Sequence, residues 1–452
     1  MITKYDEIVK YIGLHKLPKG FEEAYALYTQ TLQESEEQNG EPNQSKNGEP
    51  NQNLKQPLIA RDYYEALLSP HNLPGALKDY LDAALQAIEQ DEKVLWFSRF
   101  LVWDMCSMRN KYDIDNYTEL VPSCLEKYND AYGFLILLAC VPVSEEEMKR
   151  RGIPKAYYED IPHRMIRLQV EKYERTGEIL VDDMPWKLNF YSLSIFLLDR
   201  FLFIPYEHGE NFRFYRNKLT GKVIGLNGKG CMFDKEGQLL SWGFDGEEPK
   251  DPSNVSFVTT LDEDATSITG YYMNPCGFTQ NQKITLNKSE YDEVLREGDY
   301  LVALHIPEGE GYTPERMRNS CRLALEFFGK YYPELDMKGF WSSSWLYDKR
   351  LELLIGKNRN ITNCQDIMYR YSDGEDGEMA YVHLFKSTDQ DLKTFQCTTS
   401  LQSKAKDFLL HGNRFCTTGM MILKEEIESE KLYQTPEDEK AFFDLMKQWG
   451  IA

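Results

Sequence analysis

Cationic side chains are scarce in this chain of 452 residues: 52 Lys and Arg stand against 73 Asp and Glu, a formal net charge of −21. Such a far field repels polyanions, so a basic groove for nucleic acid and docking on an anionic membrane are both disfavoured. Long apolar runs are missing as well. The longest, Phe134 to Val143, spans ten residues with a proline inside, about half of the ~20 that a bilayer span requires. The opening MITKYDEIVKYIGLHK carries charges throughout and no apolar h-region, so no secretory signal is expected and the protein reads as cytoplasmic. Cysteine never clusters: the nine are no closer together than Cys124 and Cys140, which excludes zinc knuckles, CxxC redox pairs and a disulfide framework. HExxH, GxSxG and GxxxxGK[ST] motifs do not occur and the seven histidines are dispersed, so no metal is expected.

What remains is the composition of a globular protein, with 42% hydrophobic and 28% charged residues. At ~150 residues per domain the length suggests two or three units. Residues 1 to 176 read as helices. Leu77, Leu81, Ala84, Leu85 and Ile88 recur at helical spacing behind Pro74, and Val94, Phe97, Phe100, Leu101 and Trp103 continue the pattern. Trp96 and Trp103 read as packing residues. Tyr132 to Cys140 is apolar on all sides, as in a buried helix, and Ser144 with Glu147 reads as a capping box opening another. Within this half, residues 34–57 repeat NGEPNQ and read as a polar surface loop.

Beyond Gly177 the character changes. Residues 186 to 198 fit one more amphipathic helix, after which short aromatic and β-branched segments separated by Gly and Asn (201–208, 212–215, 222–226) form a meander. Gly225, Gly228 and Gly230 lie between strands with no helix following, so they read as turn residues rather than a nucleotide cradle. Residues 243–290 read as a hairpin insertion, with 255–260 pairing with 267–273. Tyr300 to Ile306 is apolar on both faces, as in a central strand. The loop Glu308-Gly309-Glu310-Gly311-Tyr312 follows, then Thr313 as N-cap and Pro314 at the first helical position. Met317, Cys321, Ala324, Leu325, Phe328 and Tyr331 form that helix's buried stripe. A second strand, Phe340 to Leu346, completes a parallel crossover and leads to a short helix near Asp348.

Three features of this crossover carry chemistry. The N–H groups at Thr313, behind a glycine-containing loop, suit an anion. Ser342-Ser343-Ser344 between Trp341 and Trp345 form either a polar patch at a cleft or a set of hydroxyls bonded to neighbouring backbone. His305 near the strand end is either a satisfied core histidine or a general base.

The segments GDYLVALHIPEGEGYTPERMRNSCRLALEFFGKYYPE and SSSWLYDKRL, with Asn360-Ile361 and more loosely LLDRFLFIPYE, resemble a bacterial acyltransferase family. That family combines a helical N-acyltransferase N-terminal domain with a GNAT-like C-terminal domain. The resemblance implies an α+β protein: an all-helical domain over 1–176, then a mixed-sheet domain with flanking helices over 177–452. It implies two neighbouring parallel strands, Tyr300 to Ile306 and Phe340 to Leu346, splaying apart around an acyl-CoA cosubstrate. Ile306, Gly309, Gly311, Tyr312, Thr313 and Ser344 would contact that cosubstrate, and His305, Ser343 and Tyr347 would be catalytic, with Tyr347 the acid for the departing thiolate. Ile306 stands where the family loop carries Gln or Arg, and Ser343 where the family motif has histidine. The implied acceptor is a small-molecule or peptide amine. Glu308 and Glu310 are expected to satisfy the helix dipole from within. With the net charge, they motivate a second reading: an inactive scaffold that binds a peptide, metabolite or partner protein.

Overall fold

The switch from helical to strand periodicity becomes two units, Met1–Phe196 and Leu197–Ala452. They are seen in a computed structural model that describes residues 4–14, 17, 20–38, 56–107, 120–244, 247–374, 376–429, 433–448 and 450, without the side chains of 35–38. Most of the polar stretch 34–57 therefore lies outside the described residues.

The first unit is helical: α1 (Tyr5–Ile12), α2 (Phe21–Gln38), α3 (Arg61–Leu68), α4 (Gly75–Gln90), α5 (Glu92–Cys106), α6 (Tyr132–Arg150), α7 (Ile161–Thr176) and α8 (Met184–Tyr191). The stripe from Leu77 to Ile88 is buried as its spacing requires, and Asp91 caps α5 by accepting from the N–H groups of Lys93 and Val94. Trp96 and Trp103 pack against Tyr28. Two expectations change. No new helix opens at Ser144, because α6 runs through Pro142 to Arg150. Ser144 is buried and its hydroxyl donates to Cys106 Sγ instead of capping, while the buried run from Tyr132 to Val141 holds the helix across the proline's lost bond. Residues 186–198 are not one helix either: Leu193 takes a left-handed φ of 52°, which ends the helix, and the chain re-forms as a strand.

The second unit is built on β1 (Phe196–Leu198), β2 (Phe201–Glu207), β3 (Phe212–Asn217), β4 (Val223–Asn227), β5 (Met232–Phe233), β6 (Leu239–Ser241), β7 (Phe257–Val258) and β8 (Leu261–Glu263). It continues with β9 (Ser267–Asn274), β10 (Phe278–Asn287), β11 (Tyr291–Leu295), β12 (Tyr300–His305), β13 (Met337–Ser344), β14 (Tyr369–Gly374) and β15 (Thr417–Leu423). Its helices are α9 (Pro314–Tyr331), α10 (Leu351–Ile355), α11 (Asn360–Asp366), α12 (Glu378–Phe385), α13 (Ser400–Leu410) and α14 (Pro436–Gln448). The first sheet has the order β1-β2-β12-β13-β15-β14, the second β10-β9-β4-β3-β11 with β8 on β9, and the third β6-β5-β7. In the first, β12 and β13 are parallel, joined through α9, while β2 and β15 flank them antiparallel. This is the α+β class with a helical N-terminal region and a mixed-sheet domain.

Residues opposite one another share a face. Leu301, Trp341, Met421, Tyr369 and Tyr371 pack with Phe212, Phe214, Val223 and Met273 of the second sheet. Residues 255–260 do not pair with 267–273: β7 lies on β5, and the hairpin with β9 is made by β8, just beyond that segment, while β10 and β4 also pair with β9. Strand β10 has no clear period-2 signal because its polar stretch, TQNQK, hides the alternation. Among the described residues, no helix is long and apolar enough to cross a membrane, and no group of three or more His, Cys, Asp or Glu could hold a metal ion.

Candidate active site

The ladder between β12 and β13 stops at Ala303 opposite Trp341. The outer ladders do not stop there: β12 stays paired with β2 as far as His305, and β13 with β15 as far as Ser344. Both central strands are held from outside while they part from each other, leaving an opening at their C-terminal ends, where α/β sheets collect ligands. His305 and Ser343 each lie two residues past the last pair. They stand at the two lips on one face, and Leu304 and Ser342 stand likewise on the other.

The loop leaving β12 is shaped by a residue from far along the chain. Arg200, 8% exposed in the turn between β1 and β2, donates to the carbonyls of Pro307 at 2.7 Å, Gly309 at 2.9 Å and Glu310 at 2.7 Å. In a trans peptide the N–H points opposite to the C=O. Gathering these carbonyls onto one guanidinium therefore turns the N–H groups of Glu308, Glu310 and Gly311 away from it, leaving a run of amides that suits an anion. Gly309 and Gly311 supply the positive φ values, 122° and 90°, that the path needs. Among the described residues, no hydrogen bond is made by the N–H of Glu308, Gly309, Glu310, Gly311 or Tyr312. The side chains of Glu308 and Glu310 are exposed and make no hydrogen bond to these groups among the described residues. The neighbouring Asp199 accepts from Arg316 at 2.6 Å and from Ser320 at 3.2 Å, pinning the same turn to α9.

Thr313 caps α9 by accepting from the N–H of Arg316 at 3.3 Å. Ser344 Oγ is engaged in the same way, accepting from Leu346 N–H at 3.2 Å and starting a 3-10 turn over Trp345–Tyr347. The second strand therefore ends at Ser344 and not at Leu346. Tyr347 swings under the sheet, fully buried, where its hydroxyl donates to Ser342 Oγ at 2.9 Å and burial pushes its pKa well above the phenol range. Tyr312 has its ring against Phe201, and its buried hydroxyl lies beside the Cys364 thiol, where burial pushes its pKa well above the phenol range. Burial pushes the His305 imidazole down to about 4, so it is neutral at physiological pH and a weak base.

Ser343 donates to the carboxylate of Asp373, a residue the sequence did not single out. Asp373 is the extra residue of a β-bulge, since Ser372 lies opposite Thr418 and Gly374 opposite Thr417. Bulges re-aim side chains, and here one directs a carboxylate at the lip of the parted strands. Gly419 makes the room: it sits between Ser343 and Tyr371, and a Cβ there would lie 2.2 Å from the Tyr371 ring. Tyr371 thereby crosses β15 and accepts from Trp341 Nε1 at 2.6 Å, and Trp341 stacks on Tyr206 with ring centroids 4.4 Å apart. Burial, opposed by the Ser343 bond and reinforced by Glu210 and Asp376, raises the Asp373 pKa to about 7. Arg200 and Asp373 each left a local trace, an arginine amid the apolar residues of LLDRFLF and an acid just before the glycine of YRYSDG. Neither trace tells what the side chain meets.

Two family models match the sequence, an N-acyltransferase N-terminal domain over residues 62–193 and a GNAT-like C-terminal domain over residues 222–421. The chain belongs to this two-domain N-acyltransferase family. The loop, the parted strands and Asp373 all lie within the acyltransferase's GNAT-like segment. Similar solved structures include an acyltransferase point mutant in complex with octanoyl-CoA (14% identity, TM-score 0.53) and an acyltransferase in complex with decanoyl-CoA (16%, 0.51). A third is an acyltransferase in complex with CoA and 10C-Teicoplanin (15%, 0.50); each match covers 93% of this chain and 99% of the other. At these identities the likeness is one of fold. Among curated proteins none matches this acyltransferase significantly in sequence.

Proposed function

We propose that the protein transfers an acyl group from acyl-coenzyme A to an amine. The observation that carries this reading is the early end of the β12–β13 ladder while both outer ladders continue. A thin pantetheine arm fits between two such strands, and the amides of Glu308, Glu310 and Gly311 suit its pyrophosphate. The solved neighbours holding octanoyl-CoA, decanoyl-CoA and CoA support that class of donor. A backbone amide at the gap would polarise the thioester carbonyl, and Tyr347, buried beneath the other face, would donate towards the departing sulfur. The neighbour that also holds 10C-Teicoplanin supports an acceptor as large as a modified peptide, beside the small-molecule amines.

The exposed Glu308 and Glu310 favour the competing reading, a scaffold that does no chemistry. Thermal melting separates the two. Octanoyl-CoA or decanoyl-CoA at a hundred times its Kd is expected to stabilise the protein by about 2.7 kcal/mol. No shift with either donor or with free CoA would leave only the scaffold. Tyr347→Phe is expected to lower turnover at least ~10²-fold with binding intact; unchanged turnover removes this phenol from the mechanism.

A further inference from the structure

We propose that Asp373 is the proton acceptor of the transfer and that an ammonium-bearing acceptor approaches the thioester at the end of the sheet face where Ser343 and Asp373 are half-buried, beyond the stretch of Trp341 and Tyr371 that packs on the second sheet. This inference rests on the acyltransferase reading above and goes beyond it by naming the base, the side of approach and the charge of the acceptor.

Three observations converge. The bulge in β14 takes Asp373 out of the ladder and brings its carboxylate to Ser343, at the lip where β12 and β13 part. His305, at the opposite lip, is held neutral by burial and is a poor base, so the face has one better acceptor. The surroundings of Asp373 are acidic: Glu210 from the turn before β3 and Asp376 after β14 both act on it, and the Tyr371 phenol lies beside it. Glu210 is occupied by His208 at 2.7 Å and Tyr206 at 2.6 Å, and Lys250 reaches Asp376 at 3.8 Å. Among the described residues no cation pairs with this carboxylate, and its pKa near 7 matches the working pH of a base. An ammonium group is drawn to such a place by the carboxylates around it.

The step balances without a further reactant. The ammonium gives one proton to Asp373, the freed nitrogen attacks the thioester carbon, and the C–N bond forms as the C–S bond breaks. Tyr347 gives its proton to the departing thiolate and recovers one through solvent as the nitrogen loses its surplus proton, giving the amide and the free thiol, and Asp373 returns its proton to water. Ser343 does not touch the nitrogen and acts by positioning the carboxylate.

The test compares wild type, Asp373→Asn and Ser343→Ala with octanoyl-CoA as donor and ethanolamine as probe amine. Asp373→Asn is expected to keep the wild-type octanoyl-CoA melting shift and KM while losing at least ~10²-fold in kcat at pH 7. The acid limb of the rate profile near pH 7 should vanish with it, whereas Ser343→Ala should move that limb and keep most of the rate. A kcat within threefold of wild type, or an unchanged limb, overturns the proposal. Carbon-13 titration of labelled aspartates decides independently of the acceptor. One carboxyl should titrate near neutrality, be absent in Asp373→Asn and move when octanoyl-CoA binds; titration of Asp373 below pH 5, or indifference to octanoyl-CoA, overturns the base assignment. A wild type that binds no acyl-CoA would overturn the acyltransferase reading itself, a distinct result.

Discussion

Two half-buried groups with opposed titrations stand on the same face of one sheet. Asp373 has a native pKa raised to about 7, so it contributes stability at low pH that is lost as pH rises from the unfolded value, ~3.9, through 7. His305 has a native pKa lowered to about 4, so its contribution is full above ~6.5 and is lost as pH falls towards 4. Between pH 4 and 6.5 the slopes oppose each other. Asp373→Asn is therefore expected to gain stability over wild type at pH 8, and to fall off more steeply on acidification, by roughly 1.4 kcal/mol per unit. Urea melts at pH 5, 6, 7 and 8 check this; parallel curves for variant and wild type would show that Asp373 titrates alike in the folded and unfolded chains. Arg200 is the other residue of consequence. Arg200→Met leaves three loop carbonyls without their donor, and the octanoyl-CoA melting shift is expected to vanish even if the variant folds. Arg200→Lys should not restore it, because an ammonium does not reproduce the planar fork.

At the scale of the element, the sheet works because one strand carries no side chain at one point. Strand β15 has Gly419 between Ser343 and Tyr371, and the Tyr371 ring fills the place of the missing Cβ. Gly419→Ala is expected to cost ~1–3 kcal/mol through overpacking, read as a lower urea midpoint with an unchanged m-value. A second change, Tyr371→Leu, should recover part of that loss. The loop after β12 is an element of the same kind. Its direction is set by Arg200 and Asp199 from the turn between β1 and β2, and its end by the Thr313 cap. The crossover helix was legible because Thr313-Pro314 and the apolar stripe are local signals. The ladder's early stop was not, because Leu304, His305 and Ser342 continue an extended pattern and nothing in them says which neighbour keeps them.

For the molecule as a whole, the net charge of −21 sets how an anionic donor arrives. The far field opposes it while the loop amides attract it at short range. Raising ionic strength from about 0.01 M to about 0.1 M shortens the Debye length from about 30 Å to about 10 Å. Octanoyl-CoA binding is therefore expected to tighten severalfold over that range, by titration calorimetry at fixed pH. A weakening would mean that short-range cationic contacts dominate.

The sequence by itself determined the helical half and the strand–loop–helix–strand segment, because periodicity, caps and turn residues act over a few positions of chain. It also limited the chemistry, since the motifs for metal and serine hydrolysis are absent. Only the tertiary structure decided where the strands part, which way the loop amides face and which carboxylate reaches the opening. Those outcomes depend on contacts between residues such as Arg200 and Glu310, or Ser343 and Asp373, which lie 110 and 30 positions apart. Local sequence pattern fixes dihedral preference and amphipathic face, whereas a hydrogen bond across such separations exists only once the whole sheet has closed around it.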